Sequence, residues 1–207
     1  MGVRSRERFE GAIAGVGTTS GVRVVVGRWS DSPLGSFADV MLAEPDGSRW
    51  LLAPSQEVAD FVSSTYHFDH VVVGEVEVRG GESSGEDWWD VAAPGLELTF
   101  SVGRRPALGL LLRLVPRRLA TAPAWARVTD PFARVLLRGV RTRGTAGGGR
   151  REYYGATDLH RVTSLTGTWQ GDDVGDLAPV APDPRFGFGS TPRRPSVTAV
   201  VTTVESD

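Results

Sequence analysis

The sequence contains no cysteine and no lysine. The first absence excludes disulfides, thiolate nucleophiles and cysteine-ligated metals. The second excludes a side-chain amine for Schiff-base chemistry, because all 23 basic residues are arginines, which stay protonated at any working pH. Long apolar runs are missing too. The longest, Leu108 to Val115, is already interrupted by Arg113, far short of the roughly 20 residues that a membrane-spanning helix needs. No apolar stretch follows the charged start Met1-Gly2-Val3-Arg4-Ser5-Arg6, so a cytoplasmic location is expected rather than a secretory one.

What is present suffices for one core. At 207 residues, 40% of them apolar, the chain is expected to form a single domain over 1–207, with flexible ends at 1–8 and 205–207. Most segments alternate with the period of a strand. Strands are expected at Phe9 to Ile13, Gly21 to Val26, Phe37 to Leu42, Arg49 to Leu52, Val71 to Val78 and Leu96 to Val102. Later ones are expected at Glu152 to Tyr154, His160 to Leu165 and Ser196 to Val204. Pro45-Asp46-Gly47-Ser48 carries turn chemistry and predicts a hairpin between the third and fourth strands.

Helices are few. Ser55 is placed to cap a short one with Val58, Phe61 and Val62 on one face. Asp130-Pro131 is a second start signal, with Gly139 as its stop. Leu108 to Ala120 is ambiguous, since its leucines favour helix while Gly109 and Pro116 interrupt it. Many short strands and too few helices for βαβ units predict a single-domain, mainly β fold with a few short helices (α+β), an antiparallel barrel or sandwich.

Charge is unevenly spread. Residues 1–103 hold seven arginines against sixteen acids, whereas Arg104 to Arg151 holds twelve arginines and the single acid Asp130. Such a segment either lies against the acidic part of its own fold or presents an anion-binding face. Around the leucines, Arg104, Arg105, Arg113, Arg117 and Arg118 fit a small anionic ligand held by bidentate hydrogen bonds, or a membrane surface. Nucleic acid is not expected, because aromatic residues for stacking are sparse there.

Three further features are candidates for chemistry. Gly15-Val16-Gly17-Thr18-Thr19-Ser20-Gly21 is glycine-rich like a phosphate loop, but β-branched residues follow it instead of a helix, so it is read as a hairpin turn. His67, His70 and His160 do not have a recognised ligand spacing and are read as surface or loop residues; no metal and no cofactor are expected. Asp39 is the most informative residue. It shares a strand face with Phe37 and Met41, while Ala38, Val40 and Leu42 occupy the other, so both faces are apolar and the carboxyl is expected to be desolvated. A desolvated carboxylate pairs with a cation or carries a raised pKa. Either state is common at functional sites, and a structural Asp–Arg pair is the plainer alternative.

The stretch Ser32-Pro33-Leu34-Gly35-Ser36-Phe37-Ala38-Asp39 resembles the small, Gly-Leu-Gly, aromatic and acidic stretch of acetoacetate decarboxylases, with Asp39 at the place of that family's active-site glutamate. Val102-Gly103-Arg104 and Pro116-Arg117-Arg118-Leu119 are similar to the family's Val-Gly-Arg and Pro-Lys-Lys-Leu segments, given an insertion between them. The resemblance implies a β-barrel or cone enclosing a small cavity. It also implies a departure in chemistry, because Arg117 and Arg118 stand where the lysine pair would be and cannot form a Schiff base.

Three functions are therefore expected as alternatives. The first is a small-molecule-binding protein for a carboxylate or other anion, using Arg104, Arg117, Arg118, Phe37, Met41, Tyr153 and Tyr154 around Asp39. The second is a lysine-independent lyase or hydrolase with Asp39 as acid or base and Glu152, Tyr153 or Tyr154 nearby. The third is an interaction protein that docks on a membrane surface or acidic partner, or oligomerises.

Overall fold

A computed structural model describes residues 5–83, 86–120, 143–145, 151–187 and 191–206, with the side chains of residues 5, 82, 83, 86, 117, 143–145, 151, 152 and 206 outside the description. The Asp130-Pro131 helix signal also lies outside the described residues. The first strands are β1 (Ser5–Thr18), β2 (Arg23–Asp31), β3 (Phe37–Ala43) and β4 (Arg49–Ala53), followed by helix α1 (Gln56–Ser63). Then come β5 (His70–Val73), β6 (Glu77–Ser83), β7 (Glu86–Ala93), β8 (Leu96–Val102) and the helices α2 (Ala107–Leu114) and α3 (Arg117–Ala120). The last strands are β9 (Arg143–Thr145), β10 (Arg151–Trp169), β11 (Asp172–Asp173), β12 (Leu177–Ala178) and β13 (Ser196–Ser206).

These strands form one sheet with the order β5-β4-β3-β2-β1-β13-β10-β8-β7-β6, curled into a half-barrel. The mainly β, antiparallel-rich fold expected from the alternation is present. β10 makes the curl. Its first half pairs with β13 and its second half with β8, and register shifts between Ala156 and Asp158 and between Val162 and Ser164 bend it between the two walls. What were read as two late strands are one. Strand pairing reaches Ser5 opposite Ser206, into the segments expected to be loose ends.

The strand period sorts the core into two. Val24, Val26, Val40 and Leu42 point inward and meet Trp89, Leu98, Phe100 and Leu165 from the opposite wall. Val25, Met41 and Leu51 point outward and are covered by Val58, Ala59 and Val62 of α1. Ser55 caps α1 as expected, its side chain accepting from the Val58 amide. Gly47, at φ +98°, makes the β3–β4 turn, and Asp46 accepts the Ser48 amide within it.

Two local readings need correction. β4, α1 and β5 form a parallel crossover unit, with Trp50 opposite His70 and Ala53 opposite Val73. One short helix is enough for such a unit at a sheet edge. The strand expected from Val71 to Val78 breaks after Val73, and β7, which carries Trp88 and Trp89, was not expected at all.

Candidate functional site

Asp39 lies on the outward face of the sheet, in β3. It is 5% exposed and lines a cavity of about 60 Å³ between that face and α1. β3 supplies Phe37 and Met41 at two-residue spacing on either side of it, and β2 supplies Val25, Gly27 and Trp29. β1 adds Phe9 and Ile13, β13 adds Thr202 and Val204, and β10 adds Tyr154. The roof comes from Phe61 and Val62 of α1 and from Thr65 and Tyr66 just beyond it. The hollow is thus on the outer side of the curl, not inside it.

The indole N–H of Trp29 donates to Asp39 Oδ1 at 2.9 Å. Gly27 lies directly opposite Asp39 in the ladder, and its missing side chain makes the contact feasible. A Cβ there would come within 2.4 Å of Asp39 Oδ1 and 2.7 Å of Trp29 Nε1. Burial pushes the Asp39 carboxyl from its ordinary 3.8 up to about 6, and the Trp29 hydrogen bond draws it partly back. The walls are aromatic: Phe9 stacks on Phe61 at 4.8 Å and meets Trp29 edge-on at 5.9 Å. At the rim the hydroxyls of Tyr66 and Tyr154 hydrogen-bond, linking the segment after α1 to β10.

Of the residues expected at the site, the structure brings Phe37, Asp39, Met41 and Tyr154 together. Tyr153 is buried but takes the other face of β10, as its neighbour Tyr154 fills the outward position opposite Thr202. Arg104 and Arg118 are exposed and line no part of this cavity, while the side chain of Arg117, the other member of the expected guanidinium pair, lies outside the described residues. None of the fifteen lining residues is basic. Phe9, Trp29, Phe61 and Tyr66 were missed. Only Trp29 left a signal, since it shares parity with Gly27 on a strand next to β3.

A second hollow, of about 370 Å³, lies on the inward face between the walls. Arg28 sits 5.7 Å over the Trp89 ring there, facing Asp87, Asp158 and His160. Asp158 is paired with Arg105 at 2.9 Å. His160 Nδ1 is 3.0 Å from the Gly103 carbonyl, which can only accept, so that nitrogen carries a proton. Charges of both signs mix in this hollow. His67 is exposed, and the His70 ring stacks on Trp50 at 4.1 Å. Among the described residues no group of three acids or histidines could hold a metal ion.

No family model matches the chain, and no curated protein matches it. Among solved structures it is similar to a "putative AttH" from Nitrosomonas europaea, at 14% identity and a TM-score of 0.32 over 98% of this chain. That match covers 52% of the other protein, so the chain spans about half its length.

Proposed function

We propose that the protein binds a compact organic cation, an ammonium compound with small apolar substituents, in the Asp39 cavity. The observation that carries this reading is a buried carboxyl in an aromatic-walled hollow that has no basic side chain among the described residues. At neutral pH a carboxyl with a pKa near 6 is mostly ionised, and a buried charge without a counterion is costly. A ligand ammonium supplies the missing counterion, while Trp29, Phe9 and Phe61 supply the apolar and cation–π surroundings that such groups favour. The small volume limits the ligand to a few heavy atoms. Among the described residues, an anion, the ligand suggested by the arginine-rich segment, would meet only like charge here.

Likeness to acetoacetate decarboxylases remains part of this proposal through the Ser32 to Asp39 segment alone. It is supported by Asp39 facing a hollow, and it is not supported by Arg118, which faces solvent. The raised carboxyl also favours a second reading, in which Asp39 transfers a proton to or from a bound substrate near neutral pH.

Thermal unfolding with trimethylammonium and with acetate, at about pH 7.5, tests the binding reading by mass action. The ammonium ion is expected to raise the melting temperature of the wild type and not of Asp39→Asn. A rise with acetate alone, or an ammonium effect that survives in Asp39→Asn, overturns it.

A further inference from the structure

The strongest feature outside the cavity is a helix with its apolar side turned to solvent. α2 packs on β10, with Leu108 and Leu112 half-buried and Gly109 so close that a Cβ would fall 2.2 Å from the Leu159 carbonyl oxygen. At 100° per residue, the opposite side carries Leu110, Leu111 and Leu114. These are 58%, 60% and 78% exposed, and Leu119 of α3 beside them is 44% exposed. An amphipathic surface helix ordinarily buries such a face against the core. Here the core side is served by a glycine, and the leucines have no partner among the described residues.

Charge indicates what covers them. Residues 104–120 contain five arginines and no acid. Arg105 is neutralised by Asp158, whereas Arg104, Arg113 and Arg118 are exposed and have no acidic partner among the described residues. Leucines ringed by unpaired arginines complement a surface that is anionic outside and apolar beneath. The geometry points to α2 and α3 as the face by which the protein docks on an anionic lipid leaflet, with Leu110, Leu111 and Leu114 entering the headgroup–acyl boundary. The arginine side chains reach the phosphates while their stems cover the leucines' flanks. This docking is peripheral: no helix among the described residues is long and apolar enough to cross a membrane. It is independent of the Asp39 cavity.

Cosedimentation of the full chain with vesicles tests it. Binding is expected to phosphatidylcholine vesicles containing phosphatidylserine and not to phosphatidylcholine alone, and to weaken steeply as salt rises. Arg113→Gln and Arg118→Gln should each weaken binding about fivefold. Leu111→Gln with Leu114→Gln should abolish it while leaving the melting temperature unchanged, since both side chains already face water. Three results overturn the proposal: no binding to anionic vesicles, equal binding by the double leucine variant, or equal binding to neutral vesicles. A leucine-dependent dimer seen by sedimentation without vesicle binding also overturns it, and assigns the face to a second copy of the chain.

Discussion

Trp29 and Asp39 face each other across the β2–β3 pair, the indole N–H donating to the carboxyl oxygen at 2.9 Å in the gap left by Gly27. Among the described residues this is the hydrogen bond that Asp39 makes, in a cavity lined mostly by aromatic and aliphatic side chains. It orients the acid toward the cavity and keeps part of its charge tolerable.

Gly27→Ala should disrupt that contact from inside the ladder. The added methyl meets both partners at less than van der Waals distance, and moving either one breaks their mutual hydrogen bond. A loss of about 1–3 kcal/mol is expected in urea denaturation, as for overpacking elsewhere. Unchanged stability would mean that Asp39 and Trp29 can separate at little cost.

The raised carboxyl fixes the sign of a pH dependence. Below the unfolded-state value of 3.8 the group is protonated in both states. Between 3.8 and about 6 the folded chain keeps the proton that the unfolded chain has released, so stability falls as pH rises through this window. The full change is about 3 kcal/mol. Asp39→Asn keeps an acceptor for Trp29 and has no charge to bury, so it should flatten this slope and be more stable than wild type at about pH 7.5. If Asp39→Asn instead destabilised the protein by more than about 1.5 kcal/mol at that pH, a buried ion pair would be implied.

How much of this was legible in the sequence differs residue by residue. The face shared by Phe37, Asp39 and Met41 followed from parity alone, because a strand apolar on both sides leaves its one acid nowhere wet to go. Tyr153 and Tyr154 could not be separated, since adjacent residues take opposite faces and only the register against Thr202 chooses between them. Phe9, Phe61 and Tyr66 reach the cavity by long-range pairing and by the β4–α1–β5 crossover, neither of which leaves a local pattern. β7 was hidden by the acidic and glycine-rich stretch before Trp88, although Trp89 and Val91 alternate inward as a strand requires. Arg104 and Arg118 do not line the cavity, for a plainer reason. A charge run reports a solvated surface more readily than a pocket.

The rim pairing of Tyr66 and Tyr154 is open to a double-mutant cycle. Tyr66→Phe and Tyr154→Phe should each cost about 0.5–1.5 kcal/mol, and the double variant less than their sum, because either change removes the same hydroxyl pair. Additive losses in urea denaturation would show that the two hydroxyls are not coupled.

The central claim is that the Asp39 carboxyl is desolvated, and carbon-detected NMR titration of its carboxyl carbon tests this most directly. A midpoint of about 6 is expected in the wild type, rising further in Trp29→Phe, where the donor that favours the ionised form is lost. A wild-type midpoint near 3.8 would contradict the account, since it would place the carboxyl in water or beside a cation.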